Sequence, residues 1–363
     1  MPVFKKLDPL LIDELNEFES ALGSWGIMFA APNGKSIDIP FRATTSPLSR
    51  PPGFISKRVD FDHFLVKKIN SDYAQLLQGV KVEKTMRSKT GVVLSCKNIA
   101  DNSTFELSAP LIIAADGAHS VCNKLMGNEH KMDASHNCGG VRAYYKNVTG
   151  MHNQNFIELH FIKELLPGYF WIFPLPNGYA NVGAGMLTAS LSKNKVNLKE
   201  AMLKAIAENP TLSHRFKNAE LQGKIQGWGL PLGSKKRKIS SDNIMLCGDA
   251  ASMIDPFSGE GISNAMYCGM RAAERARLCL TENNFSAKYL SQYDDVVYNR
   301  LWNELRLSHT LQRLCNYPTL FNFVVNKAEK NETFRQTISA MFDDLDLRAK
   351  FKQPSFYFKL LFG

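Results

Sequence analysis

The sequence predicts an α/β chain with an α+β portion, built from a parallel-strand layer, an antiparallel sheet and a helical end. Apolar runs at 111–115 and 244–247 stop at Asp116-Gly117 and Gly248-Asp249, which is how buried parallel strands end when they deliver a carboxylate to a ligand crevice. Residues 136–187 read mostly as strands with turn residues such as Pro176-Asn177-Gly178 between them, an antiparallel pattern. Beyond Gly261, apolar residues recur at helical spacing to about residue 345. A length of 363 residues suits two domains or one large domain with an insertion. The expected division is a split ligand-binding domain over 1–134 and 230–284, an antiparallel-sheet domain over 135–229 and a helical region over 285–363.

In chain order, Asp8 and Pro9 suit a helix start, with Leu11, Leu15 and Phe18 at helical spacing behind them. Strand-like runs at 25–31 and 36–41 flank Asn33-Gly34, the dipeptide of tight hairpins. After Pro47, Pro51 and Pro52 a short strand leads to a helix that Asp60 is expected to cap, with Phe61, Phe64, Leu65 and Ile69 on one face. Runs at 80–88, 91–96 and 104–109 predict a meander. A helix at 198–208 groups Leu198, Met202, Ala205 and Ile206, and a strand near 223–231 leads to the basic run 234–238, read as a solvated loop. Helices are expected over 261–281 and 286–345.

Composition narrows the function classes. Hydrophobic residues at 44% and charged residues at 21% fit an ordinary globular core rather than disorder. Forty-four Lys and Arg against 34 Asp and Glu give +10, which favours an anionic partner. Nucleic acid is not the expected one, because the basic residues are spread along the chain without a recognition motif. Seven cysteines with no Cys-x-x-Cys pair argue against a zinc site or a disulfide framework and for a reducing cytoplasmic setting. No run is long enough to span a bilayer, and the lysine- and aromatic-rich stretch 350–363 suits at most a peripheral membrane contact.

The strongest chemical signal joins Gly248-Asp249 to the stretch from Asp255 and Pro256 to Gly259, Gly261 and Ile262. Asp249 is suited to accept hydrogen bonds from ribityl or ribose hydroxyls. The bare main chain of Gly259 and Gly261 lets N–H groups at a helix start approach a phosphate or an electron-rich ring edge. A reduced flavin carries negative charge at such an edge. Asp116-Gly117 supplies a second carboxylate and glycine at a strand end. Tyr169, Trp171 and Phe173 fall on one strand face at period two, an aromatic wall that equally suits core packing or a long apolar ligand. His63 and His160 read as structural histidines.

Arg58, Phe61, Asp62 and Leu65, then 115–120, then 247–251 with Gly261-Ile262, resemble in order the motifs of the geranylgeranyl reductase family, within the p-hydroxybenzoate-hydroxylase-like FAD enzymes. Residues 169–174 resemble that family's Tyr-x-Trp-x-Phe-Pro stretch. The resemblance implies FAD as cofactor, held by Arg58, Asp116, Gly117, Gly248, Asp249, Pro256, Gly259, Gly261 and Ile262. It also implies a prenyl-lipid substrate lined by Tyr169, Trp171 and Phe173, hydride transfer to its C=C bonds, and NAD(P)H or a ferredoxin-type protein as electron donor.

Two features of the family pattern are missing: the Gly-x-Gly-x-x-Gly turn for the ADP half of FAD, and the cysteine-glycine motif after it. Either an N-terminally truncated product or a natural relative that lost the phosphate site would read this way; truncation is the expectation, with weakened FAD retention. Two other functions share the remaining motifs: an FAD-dependent monooxygenase or halogenase acting on an aromatic compound, and a non-catalytic remnant.

Overall fold

The computed structural model describes residues 2–41, 50–130, 133–332 and 334–336, so the proline-rich link at 42–49 and the stretch 350–363 lie outside the described residues. The chain divides into two compact units. One comprises 1–66, 138–228 and 310–363, the other 67–137 and 229–309.

The first unit is organised by a seven-stranded sheet. Its order is Glu220–Pro231, Asn137–Lys146, Tyr179–Leu187, Tyr169–Pro174, Ile157–His160, Gly26–Ala30 and Ser36–Pro40. The antiparallel sequence pattern at 136–187 is its centre. Strand Gly26–Ala30 enters parallel to Ile157–His160 and antiparallel to Ser36–Pro40, so the N-terminal hairpin completes this sheet. Its turn is set by Gly34 at φ 83°, a conformation glycine adopts without strain.

Alternation assigns the sheet's two faces. Phe170, Ile172, Val182, Ala184, Ala143 and Tyr145 point one way and are buried with Met202 and Ala205 of helix Leu198–Glu208 and with Phe216. That helix starts at Asn197, whose side chain accepts from the N–H groups of Lys199 and Glu200. Each such buried side chain contributes about 1.5–3 kcal/mol relative to exposure.

On this same face Glu158, 1% exposed, accepts hydrogen bonds from Arg215 Nη1 at 2.5 Å and Nη2 at 2.8 Å, and shares one of 2.9 Å with His160 Nε2. Burial opposes ionisation of Glu158. The bonds from Arg215 and His160 outweigh that and hold its carboxyl below the ordinary range. His160 is thus structural, as expected, whereas His63 is exposed.

Asp60 does not cap the following helix. The helix runs Arg58–Val66 with Asp60 in its first turn, and Ile69 lies beyond its end at 44% exposure. The hydrophobic pattern extended past the point where the backbone leaves the helix.

In the second unit, the meander forms as read from the sequence: Val80–Ser88, Gly91–Asn98 and Thr104–Ala109. The two apolar runs become neighbouring parallel strands, Ile112–Ala114 beside Ile244–Leu246, with Leu246 opposite Ala114. Ile244, Met245 and Leu246 are fully buried among Cys268 and Ala272 of helix Ile262–Glu282 and Leu290, Tyr293 and Val297 of helix Ala287–Leu314. Helices Ile262–Glu282, Ala287–Leu314 and Pro318–Lys330 occupy the expected helical stretch, whose part at 337–345 lies outside the described residues. The basic run 234–238 is irregular, as its charge predicts.

Candidate functional site

Because Ile112–Ala114 and Ile244–Leu246 are parallel and in register, they end side by side, and Asp116-Gly117 and Gly248-Asp249 emerge at adjacent C-terminal strand ends. Open parallel sheets bind ligands at this place. The ends are fixed by Cys247 N–H donating to Ala114 O at 2.8 Å and by the buried Tyr293 hydroxyl donating to Leu246 O at 2.7 Å. The chain then turns sharply. Gly248 sits at φ 58°, where a Cβ would come within 2.9 Å of Ala265 Cβ, so this position needs glycine for both conformation and space.

Residues 248–251 form a short 3₁₀ turn closed by Ser252 at φ 55°. Asp255 then organises the glycine-rich stretch. Its Oδ1 accepts from Phe257 N–H (3.0 Å), Ser258 N–H (2.8 Å) and Ser258 Oγ (2.9 Å), while its own N–H donates to Glu260 O at 2.7 Å. Gly259 at φ 72° reverses the chain, Pro256 is buried, and Gly261 opens the helix Ile262–Glu282 without a side-chain cap. A Cβ at Gly261 would lie 3.1 Å from Ile254 Cγ1 and 3.8 Å from Asp249 Oδ1. The structure thereby brings Asp249 and Gly261 together, as the sequence reading requires.

Three sequence-assigned residues behave differently. The Asp116 Oδ2 accepts from Val121 N–H at 2.9 Å, so this carboxylate caps its own turn. Gly117, at φ 80°, has open space where a Cβ would lie. Arg58 belongs to the first unit and makes a two-bond ion pair with Asp62, 3.0 Å on each arm, at the exposed surface.

Sequence reasoning missed Glu260. Its Oε1 accepts from Ser263 N–H at 2.7 Å, filling the helix-start donors that the glycines expose. The residue is exposed overall, and desolvation of its carboxyl by the surrounding loop pushes it above the ordinary carboxylate range against the pull of the Ser263 N–H, with the negative charge of Asp255 adding to the rise. An acid between two glycines at a helix start was the available signal.

In the first unit, Tyr169, Trp171 and Phe173 are half-buried on the face opposite Phe170 and Ile172. They form a continuous wall, with ring centroids 6.1 Å apart from Tyr169 to Trp171 and 6.2 Å from Trp171 to Phe173. Trp171 lies across Gly183, where a Cβ would meet Trp171 Cζ2 at 2.2 Å, and its Nε1–H donates to Asn181 Oδ1 at 3.2 Å. Phe161 continues the wall, 5.7 Å from Tyr169, and Phe321 of helix Pro318–Lys330 packs on it at 4.4 Å.

A carboxylate and a glycine-flanked helix start beside parallel strand ends are the features of a nucleotide-cofactor binding protein. Residues 46–291 match the FAD binding domain family, and the chain belongs to it. Within that family its relatives are the geranylgeranyl-type reductases. It is 29% identical to the digeranylgeranylglycerophospholipid reductase of Methanococcus vannielii over 80% of this chain and 70% of that one. It is 30% identical to the enzyme of the same name from Methanococcus aeolicus over 79% and 70%. A geranylgeranyl bacteriochlorophyll reductase-like protein from Thermoplasma acidophilum shares the fold with a TM-score of 0.76 and 20% identity, over 90% of this chain and 83% of that one. A flavin-dependent brominase does so with a TM-score of 0.71 and 18% identity, over 98% and 87%. The chain is an FAD-dependent oxidoreductase of the geranylgeranyl reductase type.

Proposed function

We propose that this protein saturates C=C bonds in the isoprenoid chains of a prenyl lipid, and that Asp249, Gly248, Gly259, Gly261 and Ile262 form the flavin-side half of its FAD site. The observation that carries the cofactor half is the approach of Gly261 to Asp249 at the ends of two parallel strands. A flavin bound there and first reduced by an external donor would supply the hydride for one alkene carbon. Asp249 would hold the ribityl hydroxyls, and the helix start at Gly261 and Ile262 would offer main-chain N–H groups to the electron-rich ring edge. Glu260, whose raised carboxyl holds its proton to higher pH than an ordinary glutamate, is the acid this site offers for the second carbon.

The wall Tyr169–Trp171–Phe173 lines the prenyl chain and excludes water from it. NAD(P)H or a ferredoxin-type protein reduces the flavin. Among the described residues no helix is long and apolar enough to cross a membrane, and lipid substrate is reached by peripheral contact, which the net charge of +10 favours on an anionic surface.

The test is incubation of FAD-reconstituted, dithionite-reduced protein with a geranylgeranyl lipid, followed by mass spectrometry. Product heavier by pairs of hydrogens supports the reading. Product heavier by oxygen or halogen, formed only with dioxygen, transfers the protein to the monooxygenase or halogenase alternative. Unchanged lipid beside bound, reducible flavin refutes the lipid assignment.

A further inference from the structure

The sheet face that carries the aromatic wall changes character from one side to the other. At one side stand Phe161 and Phe321, then the aromatic wall. Continuing across the strands, Phe173 is paired with Asn181, and Asn181 with Tyr144; Trp171 is paired with Gly183, and Gly183 with Arg142. At about 4.8 Å per strand, Tyr144 and Arg142 stand about 10 Å from the wall on the same face. There the face turns basic. Lys57 Nζ lies 4.0 Å from the Tyr179 ring centroid and 5.5 Å from that of Tyr144, Arg142 Cζ lies 4.7 Å from Tyr144, and Lys146 Nζ lies 5.7 Å from Tyr179.

Three cations thus surround two tyrosine rings, all half-buried, and none of the three has a carboxylate within ion-pair distance among the described residues. Cation–π contact orients these groups without neutralising them. Three like charges gathered beside a low-dielectric sheet repel one another until an anion joins them. Elsewhere the chain pairs such groups with acids, as at Arg215 with Glu158 and Arg58 with Asp62.

We propose that Lys57, Arg142 and Lys146, with the hydroxyls of Tyr144 and Tyr179, form a site for the phosphate of an amphiphilic isoprenoid substrate. The isoprenoid chain lies along the wall. The proposal rests on the prenyl-lipid reading above and adds the polar half of the ligand to it. Asn181, already holding Trp171, sits between the two halves and fixes their separation. The phosphate of the coenzyme has the same chemistry and is the competing source.

The full chain is titrated with farnesyl monophosphate and with farnesol by calorimetry, as wild type, as the double variant Arg142→Gln/Lys146→Gln and as Arg142→Lys. Each charge-assisted contact is worth about tenfold in affinity, so wild type should prefer the phosphate by about tenfold or more. The double variant should lose that preference and keep its farnesol affinity, and Arg142→Lys should retain most of it. FAD affinity, read by flavin fluorescence, should be unchanged in the double variant. A wild type that does not distinguish the two ligands, or a double variant that still does, overturns the site. A double variant that loses FAD affinity instead assigns the cations to the coenzyme and overturns the lipid assignment. Farnesol failing to bind any variant, with farnesyl monophosphate no better than inorganic phosphate, refutes the prenyl-lipid reading itself.

Discussion

Replacing Gly183 by alanine tests whether the aromatic wall is a shaped surface. A Cβ at 183 would stand 2.2 Å from Trp171 Cζ2, 2.6 Å from Cε2 and 2.3 Å from the Val141 carbonyl oxygen. Carbon atoms pack at about 3.5–4.0 Å, so the indole must retreat by more than about 1 Å, and the strand around Val141 must yield as well. Overpacking of this kind costs about 1–3 kcal/mol. Loss of the Trp171–Asn181 hydrogen bond adds about 0.5–1.5 kcal/mol, and alanine's better strand propensity returns about 0.5–1 kcal/mol. The net expectation is a loss of about 0.5–4 kcal/mol, against the about 5–15 kcal/mol that holds a domain together.

Gly185, two residues along the same strand face, is the control, because its nearest neighbours to a Cβ lie at 3.6 Å and beyond. Gly185→Ala should therefore melt in urea within about 1 kcal/mol of wild type. Farnesol affinity should fall in Gly183→Ala and hold in Gly185→Ala. If Gly183→Ala melts with or above Gly185→Ala, Trp171 is not pinned over that glycine and the wall argument fails.

Other outcomes follow from the same geometry. Asp249→Ala should weaken FAD binding by about 10–100-fold in a flavin-fluorescence titration, since it removes charge-assisted hydrogen bonds; unchanged affinity would remove Asp249 from the site. Glu158→Ala strands the Arg215 guanidinium, 7% exposed, without its counter-charge and should cost about 3–5 kcal/mol in urea melts. Because Glu158 titrates lower folded than unfolded, its contribution is complete above the unfolded value and drains as pH falls through the folded one. The wild type should lose stability in that acid window faster than Glu158→Ala does. Burial pushes the thiols of Cys122, Cys138, Cys268 and Cys315 up to about 12, so a thiol-specific reagent at pH 8 should react with them only after denaturant is added. Glu260→Gln should keep FAD bound and slow alkene reduction in single-turnover assays, and the wild-type rate should fall as pH rises through the raised carboxyl value.

What the sequence made legible is what is encoded over short distances. The strand ends at Asp116 and Gly248-Asp249, the hairpin at Asn33-Gly34 and the alternation of Tyr169, Trp171 and Phe173 each need only a few consecutive residues, and each stands where the pattern puts it. Other features depend on partners far away in sequence. Arg215 lies in a polar stretch with nothing to mark it, and becomes a buried ion-pair partner only because Glu158 comes beneath it. The hairpin 26–40 could be recognised, but not the sheet it joins, since strand Gly26–Ala30 pairs with a segment some 130 residues on. Arg58 shows the converse: its i,i+4 spacing to Asp62 was in plain view, and the structure uses that local pairing.

The cationic group makes the same point for function. Lys57, Arg142 and Lys146 come from two segments far apart in sequence, and a count of charges reports only +10 overall. Register converts that count into a location. Lys146 pairs with Tyr179 and Tyr144 with Asn181, two strands from the wall, so on this proposal the charge stands where an isoprenoid chain on Trp171 would carry its head group. On the phosphate-site proposal, the anion that the composition called for and the apolar chain that the aromatics called for would be one molecule on one sheet face.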